Sequence, residues 1–209
     1  CIRGKLIASA VGGNPMIRIV GVAGSLRQAS LNLSLLRAAA TVMPEGSTLD
    51  VRTISGIPLY NADEETAAGI PDAVTELKEA LISADGVILA TPEYNNGIPG
   101  AFKNAIDWAS RPVADIPQVF GGKPFAVIGA SPGGFGTLLS QDAWLSVLRM
   151  LGAQPWFGGR LVVPHAGKIF NGEGELTDKA LHERLGTFLA GFVQYVRSEN
   201  LVRTHKPKI

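Results

Sequence analysis

The fold is decided by residues 16–43, which read MIRIVGVAGSLRQASLNLSLLRAAATVM. Residues 16–23 are mostly apolar and β-branched, a pattern typical of a buried strand. A helix is predicted to follow a few residues later, from apolar residues at helical spacing: Leu33, Leu36, Ala40 and Met43. Between the two lies a polar loop, residues 24–32, which contains no histidine, carboxylate or cysteine. A strand, a polar loop and a helix are therefore expected in direct succession.

The same alternation continues along the chain. Short apolar runs predict further strands at residues 49–54, 86–91, 125–130 and 160–164. A helix is predicted after Pro71, and a last one from Thr177 as its N-cap. The apolar faces of these helices are Val74, Leu77 and Leu81 in the first, and Leu185, Phe188, Leu189, Phe192 and Val196 in the last. Strands that alternate with helices imply βαβ units, so we expect an α/β fold with a doubly wound, mostly parallel sheet and helices on both faces.

The length of 209 residues, 46% of them hydrophobic, fits one α/β domain. We place this domain at residues 16–200, followed by a C-terminal tail at residues 201–209. Residues 1–15 lack an initiating methionine and are predicted to be a disordered or non-native extension before Met16. A genuine N-terminal extension is the alternative.

Composition excludes several classes of function. The formal net charge is +1, from 19 Lys and Arg against 18 Asp and Glu, which gives no electrostatic reason to expect nucleic acid or an anionic membrane as partner. The single cysteine is Cys1, so the fold has no disulfide framework or multi-thiolate metal site, and no metal is predicted. This cysteine usage suits a reducing cytoplasm. Apolar runs are much shorter than the roughly 20 residues of a membrane helix.

Three unusual loops follow strands, at the edge of the sheet where doubly wound folds bind ligands. In residues 24–32, Ser25, Ser30 and Asn32 offer short donors at a helix N-terminus, and Arg27 offers a cation suited to phosphate. The alternative is that Ser30 or Asn32 only caps the helix and Arg27 is solvated. No G-x-x-x-x-G-K-[ST] motif occurs, and no G-x-G-x-x-G motif opens the first helix.

The other two loops favour close contact with a flat ligand. In residues 92–100, Pro92 and Pro99 restrict the backbone and Gly97 permits a positive φ, so a fixed shape is expected, with Tyr94 as an aromatic wall and Asn95 as a two-way amide. In residues 131–137, SPGGFGT, three glycines permit close approach to the backbone. An ordinary turn is the alternative for each loop.

Two of these motifs carry a family resemblance. GSLRxxSxN after the first strand and PEYNNGIPGAFKNAIDW at residues 92–108 resemble the NAD(P)H-dependent FMN reductase family of flavodoxin-like proteins, especially its quinone, chromate and azo-dye reducing members. The resemblance implies a five-stranded sheet ordered 2-1-3-4-5, with FMN bound across the three loops. It assigns the FMN phosphate to Ser25, Arg27, Ser30, Asn32 and Leu33, the isoalloxazine ring to Pro92, Glu93, Tyr94 and Asn95, and a last flavin contact to Ser131, Gly133 and Gly134.

The resemblance also implies an activity. The expected reaction is ping-pong two-electron transfer from NADH or NADPH to a quinone, azo dye, chromate or free flavin, with flavin N5 carrying the chemistry and no catalytic protein residue. His165, His182 and His205 lie outside the three loops in sequence. The alternatives are a flavodoxin-type electron carrier and a non-catalytic flavin-binding module.

A homodimer or homotetramer is also expected. Two segments, residues 100–109 and 137–151, carry more apolar residues than one core-facing stripe needs: Phe102, Ile106, Trp108, Leu138, Leu139, Trp144, Leu145, Val147, Leu148 and Leu151. The resembling family pairs through these helices, so that a neighbouring subunit walls the flavin.

Overall fold

The computed structural model describes residues 15–205, and the side chains of residues 203–205 are not described. The extension expected at residues 1–15 therefore lies outside the described residues, apart from Pro15. The strands are β1 (Ile17–Ala23), β2 (Ser47–Thr53), β3 (Gly86–Ala90), β4 (Pro124–Ala130), β5 (Gln154–Pro155) and β6 (Leu161–Val163). The helices are α1 (Leu31–Thr41), α2 (Ala62–Ala68), α3 (Asp72–Ser83), α4 (Gly100–Ala109), α5 (Ile116–Val119), α6 (Leu138–Met150) and α7 (Lys179–His205).

The strands form one parallel sheet in the order β2-β1-β3-β4-β5, which confirms the predicted order. Ala23 at the end of β1 pairs with Ala90 at the end of β3, and Ala90 pairs with Ile128 near the end of β4. The loops that follow these three strands therefore leave the sheet at the same edge.

The fifth position of the sheet is split between two short strands. β5 pairs with the start of β4, and β6, within the predicted strand 160–164, pairs with its end. Between them the chain leaves the sheet, and Trp156 packs against Phe188 and Phe192 of α7 with ring centroids 5.1 and 5.5 Å away. Gly158 and Gly159 pass so close to the indole that a Cβ at either would lie under 3 Å from it. The packing of Trp156 on α7 therefore accompanies the break in this edge strand.

Helices cover both faces of the sheet, as predicted. One face packs against α1 and α7, through residues such as Leu36, Leu189 and Phe192. The other packs against α3, α4 and α6, through residues such as Leu81 and Phe102. β3 is buried along its whole length, as expected for an inner strand of such a sheet.

Two details of the helices differ from the predictions. The buried face of α1 is formed by Leu35, Leu36 and Ala39, so Ala40 is exposed. The N-cap of α7 is Asp178, whose Oδ1 accepts the Leu181 N–H at 2.8 Å. The predicted cap, Thr177, instead donates its hydroxyl to the carbonyl of Ile169, which makes that prediction wrong.

The last helix passes the predicted domain boundary. α7 continues to His205, beyond residue 200, where the sequence predicts a tail. Within residues 15–205, no helix combines the length and the apolar character that crossing a membrane requires.

The apolar excess predicted on α4 and α6 lies mostly inside the monomer. Phe102 and Trp144 are fully buried and meet edge to face, with ring centroids 4.9 Å apart. The other buried members of the set are Ile106, Trp108, Leu148 and Leu151. Both helices pack against the sheet and, in part, against their neighbours, which uses the wider apolar face within the chain. The width of that face is therefore no evidence for an interface.

Candidate functional site

A cleft lies at the edge of the sheet where β1, β3 and β4 end. It brings together most of the site residues predicted from the three loops. Its lining is Ser25, Arg27, Ser30, Leu31, Asn32, Pro92, Glu93, Tyr94, Ala130, Ser131 and Pro132. Four predicted residues are close in the chain but do not line it: Leu33, Asn95, Gly133 and Gly134.

One end of the cleft is the N-terminus of α1. The Ser30 side chain caps this helix by accepting the Leu33 N–H at 3.2 Å, and the Ser30 carbonyl accepts the Ser34 N–H at 2.9 Å. The N–H groups of Leu31 and Asn32 make no hydrogen bond within the described residues. Two open donors at the positive end of a helix favour an anion at this position. The Leu33 N–H is not available, because Ser30 holds it.

Arg27 adds an exposed positive charge to the same end. Its side chain is exposed, and the guanidinium has no hydrogen-bond or ion-pair partner among residues 15–205. The backbone N–H of Arg27 donates to Ser25 Oγ at 3.3 Å, a bond that shapes the loop. A guanidinium without a protein partner, beside an open helix N-terminus, can bind phosphate oxygens in a bidentate manner.

The Asn32 side chain makes hydrogen bonds within the protein at the start of α1. It is buried, its Nδ2 donates to the Ala130 carbonyl at 3.0 Å, and its Oδ1 accepts the Ala130 N–H at 2.9 Å. This pair of bonds ties the start of α1 to the end of β4. The side-chain amide therefore holds the first loop against the third, and the backbone N–H of Asn32 is open to a ligand.

The second loop ends in a tight turn. Tyr94 and Gly97 exchange two backbone hydrogen bonds, at 3.2 and 3.1 Å, while Asn95 and Asn96 take positive φ values of 50° and 61°. Gly97, whose residue type permits a positive φ, does not adopt one here. Asparagine tolerates this conformation, and two consecutive left-handed residues are typical of a type I′ turn. The turn leaves the Tyr94 ring exposed at the cleft.

Glu93 lies in the cleft wall, but its carboxylate is occupied. Its Oε2 accepts the N–H groups of Leu139 and Ser140, at 2.8 and 2.9 Å, in the first turn of α6. A carboxylate is favoured there by the helix dipole. The side chain therefore caps α6 from another loop.

A buried hydroxyl network that the sequence did not predict lies behind this contact. Thr91 Oγ1 accepts the indole N–H of Trp144 at 3.0 Å, lies 2.8 Å from Ser140 Oγ, and donates to the Pro92 carbonyl at 2.8 Å. All three side chains are fully buried. No local sequence signal pairs Thr91 with residues about 50 positions away.

The third loop is anchored rather than free. Ser131 donates its N–H to Val163, while His165 and Ala166 donate theirs to the carbonyls of Gly133 and Ser131, with distances from 2.9 to 3.1 Å. His165 itself has a left-handed backbone with φ of 51°, and its imidazole lies beside Gly134. His165, which is remote in sequence, thus lies against the third loop.

His182 is exposed on α7, beside a groove that residues of α1 also line.

Together these features fit a flat ligand with a phosphate at one end. The phosphate end has two open N–H groups and a free guanidinium, and the other end has the exposed Tyr94 ring. The Glu93 carboxylate is engaged with α6, and the remaining lining residues include no histidine or other acid. The cleft can therefore bind and orient such a ligand, while its lining offers no free general base.

Comparison with known proteins identifies the family of the chain. Residues 17–168 match the family model of NADPH-dependent FMN reductases. The chain is similar to an NAD(P)H-dependent FMN reductase of Pseudomonas aeruginosa, at 40% identity over 87% of this chain and 96% of that protein. It is also similar to a 2-hydroxy-1,4-benzoquinone reductase of Burkholderia sp., at 34% identity over 88% of this chain and 99% of that protein.

A solved structure is similar to this chain in both fold and sequence. The flavoenzyme NAD(P)H:(acceptor) oxidoreductase FerB of Paracoccus denitrificans superposes with a TM-score of 0.77 at 32% identity, over 88% of this chain and 98% of that one.

Proposed function

The chain belongs to the NADPH-dependent FMN reductase family, and on that premise we propose that it is an FMN-dependent enzyme that oxidises NAD(P)H and reduces quinones. The observation that carries this function is the cleft with an open anion site at the start of α1 and an aromatic wall at Tyr94. Both features suit a cofactor that is a flat ring with a phosphate.

We propose a specific placement for FMN. The phosphate binds Ser25, Arg27 and Ser30 together with the backbone N–H groups of Leu31 and Asn32, which are open. The ring lies between the second and third loops, near the backbone of Pro92, Glu93 and Asn95, the Tyr94 ring, and the segment of Ser131, Gly133 and Gly134. Leu33 is left out of this placement because Ser30 holds its N–H.

The chain's own residues bind, orient and shield in this mechanism. Bound FMN supplies the two-electron chemistry between nicotinamide and acceptor. Asn32 and Glu93 hold the three loops at fixed positions, so that the ring site is formed before the substrates arrive. Because Glu93 is hydrogen-bonded to α6, the cleft lining supplies no free acid or base to this mechanism.

A quinone-like acceptor suits the apolar side chains that the three loops expose. Each loop has one, with Leu26 60%, Tyr94 54% and Phe135 72% exposed. A flat aromatic acceptor can pack against such side chains. Quinone reductases recur among the relatives, for instance in Escherichia coli at 33% identity over 87% of this chain. Azo dyes, chromate and free flavin are further proposed acceptors, to be ranked against quinones by kcat/KM.

The function is tested by loading the protein with FMN and titrating it anaerobically with NADH and with NADPH. Steady-state oxidation of either nucleotide with a quinone, without an added reductase, is the expected result. A flavodoxin-type carrier or a non-catalytic flavin-binding module would bind FMN and show negligible turnover in this assay.

Since NAD(P)H is an intracellular reductant, the cytoplasm is the proposed location.

Parallel double-reciprocal lines are expected when quinone is varied at several NAD(P)H concentrations. The three loops leave one open side, so the nicotinamide must leave before the acceptor enters, which makes the kinetics ping-pong. His165→Gln, His182→Gln and His205→Gln are expected to change kcat little. Intersecting lines would indicate a ternary complex. A fall in kcat of about a hundredfold or more in any histidine variant would reveal a general acid or base.

We also propose that the enzyme is a homodimer or a homotetramer. The support is apolar surface that the monomer leaves exposed outside the cleft, at Leu59, Leu139, Met150 and Phe157. Light scattering at micromolar concentration is expected to give a multiple of the monomer mass. A monomer mass under these conditions would rule out the assembly and leave the reductase function standing.

A further inference from the structure

We propose that Glu93 is a positioning residue, whose carboxylate fixes the spacing between the two loops that hold the flavin ring. The inference rests on the proposed function, because it concerns the ring end of the FMN site. It assigns to the side chain a role that differs from direct contact with the cofactor.

The first support is the way in which α6 is capped. Thr137 stands at the N-cap position of this helix but makes no side-chain capping bond, since its hydroxyl accepts from Gln141 Nε2 at 3.1 Å. The Leu139 and Ser140 N–H groups are satisfied by Glu93 Oε2 alone. The cap of α6 thus comes from a residue 46 positions earlier in the chain.

The second support is the position of Glu93 and of the start of α6 relative to the cleft. Glu93 lines the cleft in the second loop, and α6 starts directly after the third loop, residues 131–137. Glu93 is followed at once by the tight turn that carries Tyr94. A change at Glu93 therefore moves one wall of the ring site relative to the other.

The third support is that other bonds already fasten α6 to the sheet. Thr91 at the end of β3 contacts Ser140 and Trp144 of α6, and Gln141 Nε2 donates to the Leu161 carbonyl at 3.0 Å. These contacts remain when Glu93 is changed. The consequence of losing the carboxylate should therefore be local to the second loop.

The two helices that begin beside the cleft differ in what their first N–H groups bind. The N–H groups of Leu31 and Asn32 in α1 are open, which suits a phosphate, whereas those of Leu139 and Ser140 in α6 donate to the Glu93 carboxylate. The carboxylate therefore serves as a link between the two loops.

The experiment compares the binding of FMN and of riboflavin, which has the ring without the phosphate, by flavin fluorescence quenching. Glu93→Ala is expected to weaken both ligands by a similar factor, because the second loop is no longer held against α6; a factor of about ten corresponds to about 1.4 kcal/mol. Glu93→Gln keeps an oxygen that can accept both N–H groups, so it is expected to stay within about threefold of the wild type.

The matched control is Asp178→Ala, which removes a carboxylate cap from α7, outside the lining of the cleft. Both alanine variants are expected to lose a similar amount of thermal stability, because each removes one helix cap. Only Glu93→Ala is expected to lose flavin affinity. If Glu93→Ala does not fold, Glu93→Asp replaces it: the shorter side chain keeps the charge but draws the loop toward α6, and riboflavin affinity is expected to fall.

Unchanged riboflavin affinity in the folded Glu93→Ala variant, or in Glu93→Asp, would reduce Glu93 to a simple helix cap and overturn the proposal. A wild-type protein that binds neither ligand would instead overturn the proposed function, so the two failures are distinguishable.

Discussion

Arg27→Ala is expected to bind FMN about 10- to 100-fold more weakly than the wild type, since a hydrogen bond to a charged group contributes about 1.5–3 kcal/mol. The guanidinium has no partner among residues 15–205, so no protein interaction offsets the loss. Riboflavin affinity is expected to stay unchanged, because riboflavin lacks the phosphate. Fluorescence titration of both flavins into the apoprotein measures the two constants.

Lys103→Ala is the control for this prediction. Lys103 also carries a positive charge, but it lies on α4, pairs with Asp107 at 2.6 Å and does not line the cleft. FMN affinity is expected to be unchanged in this variant, because a half-exposed pair within one helix contributes little. Equal FMN affinity in the Arg27 and Lys103 variants would remove Arg27 from the phosphate site.

The parts of the fold that were predictable from sequence are those set by patterns within a segment. The inner strands are continuous apolar runs, because helices cover them on both sides, and each is followed by a loop with a distinct composition. The strand order was implied by the family resemblance that residues 24–32 and 92–108 carry. Pro71 similarly predicted the start of α3, which begins at Asp72 and buries the expected Val74, Leu77 and Leu81.

The remaining features depend on contacts between distant segments. The Asn32 amide and the Glu93 carboxylate can each bind either a ligand or a backbone group. Only the fold places Ala130 within reach of Asn32 and the first turn of α6 within reach of Glu93. Their bracing roles therefore had no sequence signal. The burial of Trp144 was ambiguous for a related reason, since an apolar side chain looks the same in a core and in an interface.

Asn32→Ala is expected to lower the free energy of unfolding by about 2–6 kcal/mol, because it leaves two buried backbone groups without a partner and each costs about 1–3 kcal/mol. The groups concerned are the N–H and the carbonyl of Ala130, which is 2% exposed. Urea denaturation of the apoprotein measures this loss. FMN affinity is expected to fall as well, because the start of α1, with its open N–H groups, is no longer fixed against the third loop.

Asn104→Ala is the control for Asn32→Ala, because it removes a similar pair of hydrogen bonds at a position away from the cleft. Asn104 makes the same kind of pair, donating to the Pro58 carbonyl and accepting the Tyr60 N–H, both at 2.8 Å, but outside the lining of the cleft. Its groups are partly exposed, and Trp108 also donates to Pro58, so water and the indole replace most of what is lost. We expect a stability loss below about 1.5 kcal/mol, the range for one ordinary hydrogen bond, and unchanged FMN affinity. Equal losses of stability in the two asparagine variants, with the FMN affinity of the wild type kept in both, would contradict the prediction. Asn32 would then only stabilise loops, as Asn104 does, and the phosphate site would not depend on it.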